Sequence, residues 1–132
     1  MRSTDDACHI AVPARDLDEA VRFYAGGLGA RLSRRYPDRV TFDFFGDQVV
    51  CHLSSDVPGE PVPYPRHFGM TFADPGDFDR VVDTVRDRDV RVLNDVCVRF
   101  GGSAARHRTI FLADPSNNVI EFKNYDDPRQ QY

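Results

Sequence analysis

Apolar and polar positions along the chain form two stretches with the same order of predicted elements. In the first stretch, an apolar run at residues 9–13 predicts a strand. Apolar residues at helical spacing over residues 15–24 then predict a helix with Asp16 as its N-cap. Three further strand patterns follow, at residues 30–36, 39–45 and 48–54. The predicted order is therefore one strand, one helix and three strands.

The same order begins again after a proline-rich segment. Residues 56–65 contain four prolines, which remove backbone donors and predict an extended linker. After this linker the pattern predicts a strand, a helix and three more strands. These elements cover residues 66–72, 77–87, 90–98, 109–113 and 118–124. When His9 is aligned with His67, the two helices coincide, which indicates a tandem repeat.

The repeat predicts an α+β fold in which two tandem βαβββ modules form curved mixed sheets around a cavity. We expect one domain over residues 1–132, with module 1 at about residues 7–55 and module 2 at about residues 66–125. A linker at residues 56–65 joins the modules, and a polar tail covers residues 126–132. A composition of 41% hydrophobic and 29% charged residues is typical of soluble globular proteins.

Charge and cysteine content exclude several classes of partner. The 17 basic and 21 acidic residues are interspersed and give a net charge of −4, so we expect no nucleic-acid partner. The chain has no apolar signal region and no long apolar stretch, so we expect no membrane partner. The three cysteines have no C-x-x-C spacing, which favours a reducing compartment. The expected location is the cytoplasm.

Side-chain alternation in the strands predicts which residues face the cavity. In the first, fifth and last strands the apolar sets pack on the helices, which turns His9, His67 and Glu121 toward the cavity. The pattern of the fourth strand fits either orientation. Its more apolar set includes Cys51, which favours His52 as the inward residue. The small residues Ala11 and Gly69 leave room for a ligand.

These side chains predict a metal site. Imidazole and carboxylate groups are ligands for divalent Fe, Mn, Ni, Co and Zn, and two histidines with one carboxylate are typical of non-haem Fe(II) enzymes. For each residue taken alone, a structural or surface role is favoured over metal binding. The joint arrangement at matching positions of the repeat is what predicts the metal site. A second candidate is His107 with Arg106 and Arg108, which lie where a loop at the cavity mouth is predicted. A solvated loop is the expectation there, and binding of an anionic group is the alternative.

Four segments resemble the vicinal oxygen chelate superfamily, which includes glyoxalase I, extradiol dioxygenases, fosfomycin-resistance transferases and bleomycin-binding proteins. They are residues 9–24, Phe42-Asp-Phe-Phe-Gly46, His67-Phe-Gly69 and residues 111–123. The resemblance spans about residues 7–125. It implies that His9, His67 and Glu121 are metal ligands, that the substrate is a small molecule chelating the metal through oxygens, and that the protein is a homodimer. Whether the modules pair within one chain or between chains stays open.

The fourth ligand position of the resembled family, on the fourth strand, is a glutamate in the glyoxalase branch. This chain has Cys51 or His52 there, which argues against glyoxalase isomerisation. We expect Cys51 to be a buried apolar residue and His52 to be a fourth ligand or an acid–base group.

The His-His-Glu set resembles that of the extradiol dioxygenases. The expected function is therefore a metal-dependent oxidoreductase of the dioxygenase type, with Fe(II) as the expected ion and Mn, Ni, Co or Zn as alternatives. One alternative function is a metal-dependent isomerase, lyase or group transferase. The other is a metal-free protein that binds a drug or natural product.

Overall fold

Two four-stranded sheets make up the protein in the computed structural model, which describes Ser3 and residues 5–132. The first half of the chain contains β1 (His9–Ala14), α1 (Leu17–Val21), β2 (Arg31–Arg35), β3 (Arg39–Phe44) and β4 (Asp47–Leu53). The second half contains β5 (Phe68–Thr71), α2 (Pro75–Asp87), β6 (Val92–Arg99), β7 (His107–Ala113) and β8 (Val119–Tyr125). A 3-10 turn at Pro128–Gln131 follows β8.

The two sheets have the same topology. The first has the strand order β1-β4-β3-β2 and the second has the order β5-β8-β7-β6. In each sheet the first strand of the module runs parallel to the last strand, and the remaining pairs are antiparallel. This arrangement confirms the predicted α+β fold of two βαβββ modules.

The predicted first helix differs from the observed one at its C-terminal half. Asp16 is its N-cap, as predicted, because its Oδ1 accepts a hydrogen bond from the Glu19 amide at 2.8 Å. The α-helix ends at Val21, and residues Arg22–Gly27 form a π-helical turn. In this turn the Leu28 amide donates to the Phe23 carbonyl oxygen, a residue five positions earlier. The two glycines at the end of the segment have low α-helix propensity and accommodate the wider turn.

One hydrophobic core lies between the sheets. It contains residues from one face of each sheet together with the apolar sides of α1 and α2. Phe44 of β3 stacks on Phe122 of β8 across this core, with ring centroids 6.0 Å apart and an interplanar angle of 21°. Because side chains alternate along a strand, the opposite face of each sheet points away from the shared core.

A buried carboxylate ties the two modules together. Asp114, in the turn between β7 and β8, is only 1% exposed. It accepts hydrogen bonds from the amides of Ser116 and Asn118, from Asn118 Nδ2, and from the Tyr24 hydroxyl at 3.0 Å. Asn118 Nδ2 also donates to the carbonyl oxygen of Pro13 in β1. The turn of the second module is thereby bonded to the first strand and the first helical segment.

The segment between β4 and β5 contains no helix or strand. Asn117 holds it against the second module, because its side-chain Nδ2 donates to the carbonyl oxygens of Pro58 (2.9 Å) and Gly59 (3.1 Å). In the part of the chain that the structure describes, no helix has the length and apolar character that a membrane span needs.

We predict that Asp114→Ala lowers the free energy of unfolding by about 3 kcal/mol, because it leaves several buried donors without an acceptor. Tyr24→Phe removes one of the donors to the carboxylate, and we expect it to cost about 1–2 kcal/mol. Urea unfolding monitored by circular dichroism measures both changes. Equal stability of the Asp114→Ala variant and the parent would contradict this account of the turn.

Candidate functional site

His67 and Glu121 form a close pair on the open face of the second sheet. Nε2 of His67 lies 3.2 Å from Oε2 of Glu121. His67 immediately precedes β5, and Glu121 is at the centre of β8. The two strands are parallel neighbours, with Gly69 opposite Glu121, so the histidine two residues earlier reaches the carboxylate. The predicted convergence of these two side chains is therefore present within one chain.

Neighbouring groups hold the Glu121 carboxylate in place. Glu121 is 8% exposed, and its Oε1 accepts a hydrogen bond of 2.7 Å from the Thr109 hydroxyl on β7. Nζ of Lys123 lies 3.6 Å from Oε2. A carboxylate in so buried a place needs such partners to offset its desolvation. Oε2 is therefore the oxygen that faces His67 and the open side of the sheet.

The His67 ring is oriented by its other nitrogen. Nδ1 lies 2.7 Å from the carbonyl oxygen of Pro63, which can only accept, so Nδ1 is the donor in this hydrogen bond. The rings of Tyr64 and Phe111 each lie 5.6 Å from the imidazole, edge to face. Nε2 is therefore the ring nitrogen that faces Glu121. An oxygen acceptor behind a histidine is the usual support for a metal-ligating imidazole.

Gly69 has a different role from the one predicted. It was expected to leave room for a ligand, but a Cβ at this position would lie 1.7 Å from the carbonyl oxygen of Glu121. The missing side chain therefore allows β5 to lie tightly against β8. This close approach brings His67 within reach of Glu121.

His9 and His52 lie on the open face of the first sheet. His9 is opposite Gln48 in the neighbouring strand, and its Nδ1 is 2.5 Å from Gln48 Oε1. His52 is exposed and faces the same side, since Gln48 and His52 are four residues apart on β4. Cys51 points to the opposite side and is 0% exposed, as expected. Burial, with the nearby negative charge of Asp114, raises the pKa of the Cys51 thiol to about 12.

The strand register identifies which residue of β4 matches Glu121. If His9 corresponds to His67, then Ala11 corresponds to Gly69, and the residue opposite Ala11 is Val50. Val50 thus occupies the matching position on the open face, and neither Cys51 nor His52 does. His52 lies two residues farther along β4. This position favours contact with a substrate over a place among the metal ligands.

The structure brings only part of the predicted set together. Among Ser3 and residues 5–132, no three His, Cys, Asp or Glu side chains are close enough to one another to hold a metal ion. His67 and Glu121 are paired on one open face, whereas His9 and His52 lie on the open face of the other sheet. The predicted meeting of His9 with His67 and Glu121 is not formed within a single chain.

A groove of about 820 Å³ runs between the edge strand β1 and the start of the second module. Its walls include Ala11 and Pro13 of β1, the proline-rich segment, and Tyr64 and His67. His67 can therefore be approached by a small molecule.

The prediction of a loop at His107, the second candidate site, is wrong. His107 begins β7, is 6% exposed and packs on the Tyr125 ring at 4.5 Å. Arg106 pairs with Asp126, and Arg108 pairs with Asp79 at 2.7 Å while lying over the Phe78 ring. These ion pairs and ring contacts engage both guanidinium groups, which argues against the alternative of an anion site.

Sequence reasoning missed Thr109 and Pro63, which support the Glu121 carboxylate and the His67 ring. Thr109 lies in an apolar strand, and a threonine there is an ordinary strand residue until the pairing of β7 with β8 is known. Pro63 acts through its backbone oxygen, which no residue pattern reveals.

We predict that Gly69→Ala lowers the free energy of unfolding by about 3 kcal/mol, because β5 must move away from the backbone of β8. Urea unfolding measures the change. Gly101→Ala is the matched control, since a Cβ at residue 101 meets nothing within 4 Å. If both variants unfold like the parent, the close approach of β5 and β8 does not depend on this glycine.

Comparisons with known proteins agree with this architecture. A crystal structure of a glyoxalase/bleomycin resistance protein/dioxygenase from Alicyclobacillus acidocaldarius is 52% identical, with a TM-score of 0.97 and full coverage of both chains. A lactoylglutathione lyase structure from Agrobacterium tumefaciens shares the fold at 20% identity, with a TM-score of 0.69 and coverage of 96% of this chain and 97% of that chain.

A curated relative and a family model extend the comparison to sequence. The metallothiol transferase FosB of Lysinibacillus sphaericus (strain C3-41) is 24% identical over 118 residues, which are 86% of this chain and 78% of the relative. The model of the Glyoxalase/Bleomycin resistance protein/Dioxygenase superfamily matches residues 8–122. The chain therefore belongs to the glyoxalase/bleomycin resistance/dioxygenase superfamily, which confirms the resemblance in its motifs.

Proposed function

We propose that the protein is a divalent-metal-dependent enzyme for a small substrate that binds the metal through two oxygen atoms. The observation that carries the proposal is the supported pair of His67 Nε2 and Glu121 Oε2, which lie 3.2 Å apart. Ligand atoms at about 2.1 Å from one ion lie about 3 Å from each other when they are adjacent in its coordination shell. Each group is held from behind, by Pro63 and by Thr109.

His9 completes the proposed ligand set from a second copy of the chain. Its Nδ1 contact with Gln48 leaves Nε2 directed away from the strand pair, as for His67. β1 and β5 are both edge strands, and the open faces that carry His9 and His67 point away from the shared core. A two-fold dimer that brings one open face onto the other would join the two halves of the site. We therefore propose a homodimer.

When bound, a divalent ion at this site would supply Lewis acidity to two substrate oxygens. This chain's own residues would then orient the substrate and handle its protons. His52 is the proposed acid–base group, because it is exposed on the same face as His9 and imidazole is the side chain that most often transfers protons in enzymes. Tyr24 and Cys51 are excluded from that role, since burial raises the pKa of both groups well above the neutral range.

Group transfer without redox chemistry is the reaction class that we favour. The curated relative with a metallothiol transferase name supports it, at 24% identity over most of this chain. Dioxygenase chemistry with Fe(II) and O₂ is the second candidate, because two histidines and one glutamate suit that ion. Metal reconstitution with Fe, Mn, Ni, Co or Zn, followed by oxygen-uptake measurements with catechols, distinguishes the two.

We predict that Glu121→Gln lowers the affinity for the preferred divalent metal at least about 100-fold, because the amide carries no charge. Metal content after reconstitution and dialysis, measured by inductively coupled plasma mass spectrometry, gives the result. Glu19→Gln, an exposed change of the same chemistry on α1, is the control and should leave the metal content unchanged. Full metal occupancy in Glu121→Gln would contradict the proposed centre. A parent protein that takes up no metal would favour the metal-free binding alternative.

Mixing two inactive variants tests the shared site. If His9 and Glu121 come from different copies, His9→Ala and Glu121→Gln each bind no metal alone. When the two variants are unfolded and refolded together in equal amounts, half of the dimers are mixed and each contains one intact site. We expect metal binding to return to about a quarter of the parent value. Failure of the mixture to regain metal, with mixed dimers verified by mass spectrometry, would show that the site is not shared in this way.

A further inference from the structure

A second groove, of about 250 Å³, lies on the open face of the first sheet. Its floor is made by the small or short side chains Thr41 and Val50, which are 4% and 6% exposed. His9 lines one end, and the pair of Arg39 and His52, opposite each other in β3 and β4, lines the other. The remaining wall residues are Arg34, Tyr36 and Gln48.

The charge of this groove is opposite to that of the protein as a whole. The chain carries a net charge of −4, yet two arginines and two histidines line the groove and no aspartate or glutamate does. Asp43 lies on the same face, farther along β3, and it is engaged by the Gly46 amide at 2.9 Å and by Arg31 at 3.0 Å. These two contacts, of which the amide is the stronger, lower the pKa of the Asp43 carboxyl. Asp38 bonds to Arg39, so the uncompensated positive charge of the groove comes from Arg34.

Arg34 is the unpaired cation of the groove. It lies opposite Thr41 in the register of β2 and β3, so its side chain is on the groove side of the sheet. Within the described part of the chain, no hydrogen bond or ion pair engages its guanidinium. The next residue, Arg35, points to the other side and pairs with Asp18 of α1 at 2.7 Å. Arg35 thus binds a carboxylate of α1, whereas the guanidinium of Arg34 is available to a ligand in the groove.

Arg39 is oriented but retains free donors. Its NH1 donates to both carboxylate oxygens of Asp38, at 2.9 and 3.1 Å, and its guanidinium lies 4.2 Å from the centre of the Tyr36 ring. A guanidinium has five N–H donors, so those on NH2 and Nε stay available to an acceptor in the groove. Planar guanidinium groups recognise carboxylate and phosphate oxygens in pairs.

We propose that this groove binds the anionic group, a phosphate-like or carboxylate oxyanion, of the protein's small substrate. Arg34 and Arg39 are the contacts that recognise it, and the Thr41 hydroxyl on the floor adds a neutral donor. This inference rests on the proposed function in one respect: the groove begins at His9, so an anion held by the arginines places the rest of the substrate beside the metal ligand. The site selects substrates that combine a charged oxyanion with two chelating oxygens.

Binding of inorganic phosphate and of succinate to the metal-free, chelator-treated protein tests the proposal. Isothermal titration calorimetry at low ionic strength gives the affinities, and the two probes separate a phosphate-like from a carboxylate ligand. We expect saturable binding of at least one probe. We expect Arg34→Ala and Arg39→Ala each to weaken it at least about tenfold, as loss of a charge-assisted contact does. Arg34→Lys should retain more affinity than Arg34→Ala.

Arg35→Ala is the matched control, because it removes the same charge from the same strand on the opposite face. It should change the affinity less than twofold. The proposal is wrong if neither probe binds, or if Arg35→Ala weakens binding as much as Arg34→Ala, which would indicate a general charge effect. Unchanged circular dichroism spectra of each variant establish that folding is intact.

The same measurements separate this inference from the metal proposal. Anion binding is measured on the metal-free protein and metal uptake on the reconstituted protein, so each proposal has its own readout. If metal binding follows the expectation for Glu121→Gln and Arg34→Ala binds phosphate and succinate like the parent, the anion groove is wrong and the metal centre stands. If anion binding depends on Arg34 and no metal binds, the metal centre is wrong and the groove stands.

Discussion

The buried carboxylate of Asp114 holds the two modules together through hydrogen bonds from each of them. Burying a charge is costly unless hydrogen bonds replace its hydration. Here the replacement comes from both modules, because the turn supplies its own amides and the first module supplies the Tyr24 hydroxyl. Burial raises the pKa of Asp114, and the hydrogen bonds from Asn118, Tyr24 and Ser116 oppose that rise. Undocking the modules would remove the Tyr24 bond and break the bond from Asn118 to Pro13. The docked arrangement is therefore favoured by specific polar contacts as well as by the apolar core.

Docking in this way has a consequence for the candidate site. The core takes up one face of each sheet, with Phe44 stacked on Phe122, and so the faces that carry His9 and Glu121 are left open. An open face with a buried, well-supported carboxylate is unusual for a surface that meets only water, because a carboxylate left in solvent needs no such support. Thr109 and Pro63 hold Glu121 and His67 in fixed positions. Fixed positions are an advantage if the two side chains bind a metal ion whose remaining protein ligand comes from outside the chain. This is the reason for proposing a second copy and not a rearrangement of one chain.

The sequence was sufficient for the fold and for the direction of most site side chains, because both depend on local periodicity. In β4, alternation favoured Cys51 in the core and His52 on the open face without deciding between the two orientations, and the structure has Cys51 buried and His52 exposed. Alternation could not identify Val50 as the counterpart of Glu121, because that requires the pairing register of β1 with β4, which is a property of two distant segments. Nor could it show that His9 and His67 lie on separate faces, since that follows from the packing between sheets. His107 was misjudged for a related reason: its contact with Tyr125 joins residues that are far apart in sequence.

The charge balance around Glu121 connects the proposed metal centre to the anion groove. Lys123 lies 3.6 Å from the carboxylate oxygen that faces His67, so a positive charge already offsets the buried negative one. If His67 and Glu121 hold a divalent ion as proposed, Lys123 is no longer needed for that balance, and its ammonium becomes surplus on the same open face. With the ion bound, this face of the second sheet would carry an excess of positive charge. Arg34 on the first sheet of the second copy would add to that excess. A neutral substrate would leave this excess uncompensated in a partly dehydrated site, whereas an anionic one would neutralise it. The electrostatics of both sheets thus favour the same class of substrate.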